Sequence, residues 1–232
     1  MLTKILATFR ELGTVSTVLY GTDRLIRMVS NNKRVYRYAL VAQRVSDLPT
    51  LPSHRGKSIE VCEISGVDPL LSDLSEDLRE EVLCFRKKQN AVCLAAFTQN
   101  TIIGCVWLCF GTYYEDEVRC RFSLVCDEGA SWDFGLYIRP EYRNSVAFVK
   151  IWHAVKEYLQ ERRVCWSISR ISAFNPHSIR SHARAGATSL GNVTFFCADP
   201  YQLTISRLPP YWHCSQDADS MPHFYLSASG EN

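Results

Sequence analysis

The segment WDFGLYIRPEYRNSVAF, residues 132–148, carries the tightest constraint on what this chain can fold into. Its first seven residues read as a strand, the turn after Pro140 follows at once, and a helix is expected from about Ser145 to Arg162. The apolar stripe of that helix takes in Phe148, Ile151, Trp152, Val155 and Leu159. The strand-like VCWSISRIS comes next. Strand, helix and strand at this spacing make a crossover of the βαβ type, which packs a helix on a sheet. Upstream, AVCLAAF and IIGCVWLCF are joined by Gln99-Asn100-Thr101 and read as an antiparallel hairpin, with IEVCEI before them and RCRFSLVC after. LSEDLREEVLCFRKK reads as a helix with Leu74, Leu78, Val82 and Phe85 on one face. A short helix opened by Asn175 and the strands VTFFC and YQLTISRL close the pattern. A meander combined with a crossover is an α+β fold: a mixed, mostly antiparallel central sheet flanked by helices.

Three parts are expected: an N-terminal helical and strand extension with linker (1–57), a main domain (58–208) and a polar C-terminal tail (209–232). In the first, Leu2, Ile5, Leu6, Phe9 and Leu12 give a helix an apolar face, which Gly13 interrupts, and a second helical piece runs from about Asp23 to Val29. LPTLPSHRGKS reads as an exposed loop. Six basic residues and no acidic one lie between Arg24 and Arg44. Such a run is ordinarily a solvated face; the sharper reading is a phosphate anchor, including peripheral membrane contact through the N-terminal segment. A homodimer is a further expectation. At 232 residues with 47% hydrophobic content, one core suffices. A formal charge of +2 cannot drive nucleic-acid binding, so no nucleic-acid partner is expected. The ten cysteines, with no secretory pattern, no CxxC pair and no zinc-like spacing, read as reduced thiols in a cytoplasmic protein without a structural metal.

A strand that feeds a turn and then a helix N-terminus presents free backbone N–H groups and the positive end of a helix dipole, a receptor for phosphate. Asn175 before Pro176 is a favourable helix cap, and Gly186 a natural stop after it. Ser178 and His182, four apart, share one face of the short helix. His182 can carry a proton near neutrality, or simply be a polar residue on a helix rim. No GxSxG elbow is present, so a serine hydrolase is unattractive.

LYIRPEYR and NPHSIRSHARAGA together resemble two blocks of the Gcn5-related N-acetyltransferase (GNAT) superfamily, with Asn175, Ser178 and Gly186 in register. The resemblance runs loosely from about Ile59 to Leu208. It implies an acyltransferase using acetyl-CoA or another acyl-CoA to acylate an amine or hydroxyl of a small-molecule acceptor, such as an amino sugar or amino acid. It also implies a fourth strand splayed from the fifth. On that reading the loop Arg143, Asn144, Ser145, Val146, Ala147 and Phe148 holds the pyrophosphate, Leu136 and Ile138 offer backbone groups to the pantetheine, and Asn175 contacts the same arm. His182 stands where the family often has a tyrosine acid, with Ser178 beside it, and Asp133 and Glu63 are candidate bases. Asn144, Val146 and Phe148 stand where the family often has glycine. A long-chain acyl transferase fed by acyl carrier protein, and a non-catalytic acyl-CoA-binding or scaffold domain, are the alternatives.

Overall fold

The computed structural model describes residues 2–30, 32–217 and 219–228, with side chains from Leu12 onward. The chain opens with α1 (Leu2–Val29), which breaks at Gly13, and β1 (Lys33–Arg44). The expected apolar face of Leu2, Ile5, Leu6 and Phe9 lies outside the described side chains. There follow β2 (Glu60–Ile64), α2 (Pro69–Leu74), α3 (Glu80–Lys88), β3 (Val92–Thr98), β4 (Thr101–Phe110), β5 (Thr112–Tyr114), β6 (Arg121–Leu124) and β7 (Ala130–Ile138). The second half contains α4 (Ala147–Glu161), β8 (Trp166–Ser172), α5 (Pro176–Arg184), β9 (Thr188–Ala198), β10 (Tyr201–Ser206), β11 (Trp212–Ser215) and β12 (His223–Leu226).

The described strands form a nine-stranded sheet in the order β11-β10-β9-β1-β8-β7-β4-β3-β2 and a small sheet β12-β6-β5. Only β7 and β8 pair in parallel within the large sheet. This is the α+β layering expected: a mostly antiparallel sheet flanked by helices. The β3–β4 hairpin turns through Gln99 (φ 48°) and Asn100 (φ 64°). Two central residues with positive φ match the right-handed twist of the flanking strands.

Four local expectations take a different form. The expected extension supplies β1, which runs between β8 and β9 in the middle of the sheet. Its two faces are both covered, with Tyr38, Leu40 and Ala42 buried on one side and Val35 and Val41 on the other. Such strands show as an unbroken apolar run, here YALVA, and the basic residues before it obscured that. The helix expected from Leu74 onward begins only at Glu80, because α2 ends at Leu74 and the chain is extended at Ser75 and Arg79. The helical phase restarts at Glu80, so Leu83 and Arg86 are buried in α3 while Phe85 is exposed. RCRFSLVC leaves the large sheet and forms β6. The tail after Pro209 contributes β11 and β12, and Phe224, Leu226 and Ala228 enter the core.

The core has two layers. On one face Trp107 and Trp132 of the large sheet pack with Tyr113, Phe122 and Phe224 of the small sheet and with Leu71, Leu74 and Leu83 of α2 and α3. On the other, Ile103, Val106 and Leu108 meet Ile151, Val155 and Leu159 of α4. Gly104 marks how close that packing is: a Cβ there would stand 2.7 Å from the Tyr137 carbonyl and 3.2 Å from Ile151. Gly104→Ala is expected to destabilise the fold by about 1–3 kcal/mol, as overpacking does, and to lower the urea midpoint at an unchanged slope.

Candidate active site

β7 and β8 pair from Ala130 opposite Trp166 to Asp133 opposite Ser169, and no further. Beyond that point Phe134–Ile138 and Arg170–Ser172 diverge. The separation has a local cause on the β7 side. The register of β7 against β4 slips between Cys105 and Trp107, so that Val106 faces both Gly135 and Leu136. This is a β-bulge, which bends the strand and raises its twist. Gly135 adopts φ +59°, and a Cβ on it would stand 2.9 Å from Arg86 Nη1 and 3.0 Å from Trp107. Glycine meets both demands without strain.

The divergence opens a cavity of about 790 Å³. Successive residues of a strand point to opposite faces. Asp133 and Ser169 border the cavity from the α4 face, and Phe134 and Arg170 border it from the other. The cavity therefore passes through the sheet. On the α4 side it is walled by Trp152, Asn175, Ser178 and His182, and on the opposite side by Arg86, Asp116 and Glu117.

Asp133 is buried at the point of the notch, and the hydroxyls of Ser167 and Ser169 each donate to its Oδ2 at 2.6 Å. Burial raises its pKa above the usual carboxylate value, opposed by His182 and the two hydroxyls. His182 stands edge-on to Trp152, ring centroids 5.8 Å apart. Burial lowers its pKa below 6.5, opposed by the charge of Asp133. The pair is thus a buried carboxyl and a neutral imidazole facing one cavity at neutral pH. The indole N–H of Trp152 and the hydroxyl of Ser131 have no acceptor or donor among the described residues.

α5 holds its two residues in place as its sequence implied. The Asn175 side chain accepts from the Ser178 N–H at 3.1 Å, and Gly186 follows the helix at φ +84°. The amide of Gln43 also donates to the Ala185 carbonyl, tying the end of α5 to β1.

The opposite wall is a charged network. Arg170 meets Glu115 through two bonds of 2.7 and 2.8 Å and Glu117 at 2.9 Å, with its guanidinium 4.4 Å from the centre of the Tyr38 ring. Arg86 donates to Asp116 at 2.9 and 2.7 Å. Burial pushes the Glu115 carboxyl up to about 7 in spite of Arg170. None of these residues was singled out from the sequence. A signal was present in EDE, residues 115–117, an acidic run beside the strand-like TYY, and in Ser167 and Ser169, two apart on one face of β8.

Of the other expected residues, Leu136 lines the cavity and Ile138 does not. The Ile138 carbonyl accepts from Arg143 Nε at 3.1 Å. Arg143, Asn144, Ser145, Val146, Ala147 and Phe148 stand outside this cavity. The Ala147 N–H is taken by Ser145 Oγ at 3.1 Å, whereas the N–H groups of Val146, Phe148 and Val149 have no acceptor among the described residues. Val146 packs near Gly56. Phe148 borders a second cavity of about 310 Å³, shared with Trp152 and His182. Glu63 is on the edge strand β2, separated from β7 by β4 and β3, beside Tyr158.

No family model matches the sequence, and neither does any curated protein. Solved structures do match. A conserved protein of unknown function from Staphylococcus epidermidis is 13% identical, with a TM-score of 0.47 over 74% of this chain and 63% of that one. A tandem GNAT protein of the clavulanic acid biosynthesis pathway is 11% identical, with a TM-score of 0.47 over 73% of this chain and 55% of that one. An aminoglycoside 6'-N-acetyltransferase from Acinetobacter baumannii is 17% identical, with a TM-score of 0.42 over 55% of this chain and 89% of that one. At these scores the likeness carries no argument. The splayed strands and the passage between them have to carry it.

Proposed function

We propose that this chain transfers an acyl group, most simply acetyl, from acyl-CoA to an amine of a small acceptor by direct attack on the thioester. The observation that carries the reading is the cavity through the sheet at the divergence of β7 and β8. It gives a donor and an acceptor access to one point from opposite faces, so that neither has to leave for the other to enter. Enzymes gain much of their rate from such positioning.

On this reading the donor enters from the α4 side. Its thioester lies beside Leu136, Ser178 and His182, and its phosphates lie near the N–H groups of Val146, Phe148 and Val149 at the start of α4. The acceptor enters from the side of Asp116 and Glu117 as the neutral amine, having left one proton in solvent. His182, held neutral by burial, takes the amine proton as nitrogen attacks the carbonyl carbon. The C–N bond forms, the C–S bond breaks, and the imidazolium returns the proton to the departing thiolate. Asp133 stabilises the imidazolium while it exists.

Thiol release from acetyl-CoA across a panel of small amines, together with calorimetric titration by acetyl-CoA and longer acyl-CoAs, tests the reading. Heat of binding and amine-dependent thiol release are expected; absence of both removes it. A second reading, an acyl-CoA-binding domain without turnover, is favoured by Arg143 on the Ile138 carbonyl and Ser145 on the Ala147 N–H, which occupy two groups a donor would use. Binding without thiol release selects that alternative.

A further inference from the structure

The outward faces of α1 and of the β10–β11 edge are unusually apolar. Along α1, Val15, Val18, Leu25 and Val29 are exposed, with Met28 beside them, and exposure reaches 83% at Met28 and 87% at Val29. The side of α1 that packs on the fold is instead partly polar: Ser16 and Asp23 are buried, and Asp23 accepts from the Val35 N–H at 2.9 Å. Along β10, Tyr201, Leu203 and Ile205 alternate onto one face while Gln202 and Thr204 are buried. Ile205 lies opposite Trp212 of β11, which is 71% exposed, and Tyr211 is exposed next to it. The chain thus carries a helix whose apolar side lacks a sheet, and a sheet face that lacks a helix.

We infer that these two surfaces bind each other between two copies of the chain, α1 of each lying across the β10–β11 face of its partner. A two-fold pair makes that contact twice, which is how a self-complementary patch closes. At roughly 100 Å² for each large exposed side chain, the two surfaces offer on the order of 1,000 Å² per copy, against about 800 Å² per partner in an interface of standard size. Charge agrees with the pairing. The described side chains of α1 carry Arg24 and Arg27 against a buried Asp23, whereas the segment from Asp199 to Asp219 carries three aspartates against Arg207. The same aspartates oppose the approach of the β10–β11 face to an anionic membrane.

Light scattering and sedimentation of the full chain across a hundredfold range of concentration test this. A species of twice 26.5 kDa is expected. Leu25→Glu on the helix and Leu203→Glu on the sheet are each expected to weaken association roughly tenfold or more, as loss of an interface anchor does. Far-UV circular dichroism and thermal melting show whether each variant is folded. A chain that stays monomeric throughout, or a dimer indifferent to both substitutions, overturns the inference. So does a monomeric chain that pellets with phosphatidylserine vesicles, which assigns the apolar patch to a membrane.

Discussion

Thiol release by the His182→Ala variant is expected to fall about 10²–10⁴-fold, the usual range for loss of a positioned proton carrier. Affinity for acyl-CoA, measured by titration, should change little, because on the proposed reading the donor's phosphates are held at the first turn of α4. The pH profile separates a chemical role from a structural one. Burial lowers the pKa of His182 below 6.5, and the neutral form is the one that accepts a proton. The rate should therefore hold as pH falls from neutrality to 6.5 and decline only below the lowered value. In the variant this acid limb should disappear. A variant that keeps both the rate and the limb removes the imidazole from the reaction. Asp133→Asn leaves the imidazolium without its counter-charge, so its expected effect is a fall in kcat with the limb moved to lower pH.

Arg170→Met is expected to cost about 3–5 kcal/mol of stability, measured by urea unfolding above pH 7, where Glu115 is ionised and the substitution strands a buried carboxylate. The Glu115 side chain is wholly inaccessible, and both its oxygens are bonded to Arg170, which is 16% exposed. The low dielectric that makes such a pair strong makes a single member costly. Replacing the pair together, with Glu115→Leu and Arg170→Met, should recover much of the loss. A loss below about 1 kcal/mol in the single variant would mean that Glu115 takes up a proton and remains at ease without its partner.

Legibility in the sequence followed the range of the interactions involved. The β3–β4 hairpin, the long α4 and the cap of α5 were readable because each depends on residues within one or two turns of one another. Asn175 and Gly186, for example, bracket nine helical residues and mark their ends locally. The place of β1 was not readable in this way. It lies between β8 and β9, whose pairing residues are more than a hundred positions away, and no local pattern states which strand becomes its neighbour. The tail misled for a related reason: Phe224 and Leu226 look isolated among polar residues, yet β12 finds β6 across the core. Leu136, Asn175, Ser178, His182 and Asp133 were named from the chain and line one cavity. Its opposite wall was missed, because Arg86, Asp116 and Arg170 come from three separate elements.

The order of amino acids determined the kinds of element, the crossover from β7 through α4 to β8, and the cap that orients Ser178 and His182. These follow from side-chain periodicity and from backbone N–H groups that a neighbouring residue must satisfy. Tertiary structure alone decided that β7 bulges at Gly135, that β8 parts from it after Ser169, and that a buried carboxyl and an imidazole face one cavity there. Strand separation depends on which residues oppose one another across the sheet, and burial sets a proton's affinity only once the surrounding groups are in place.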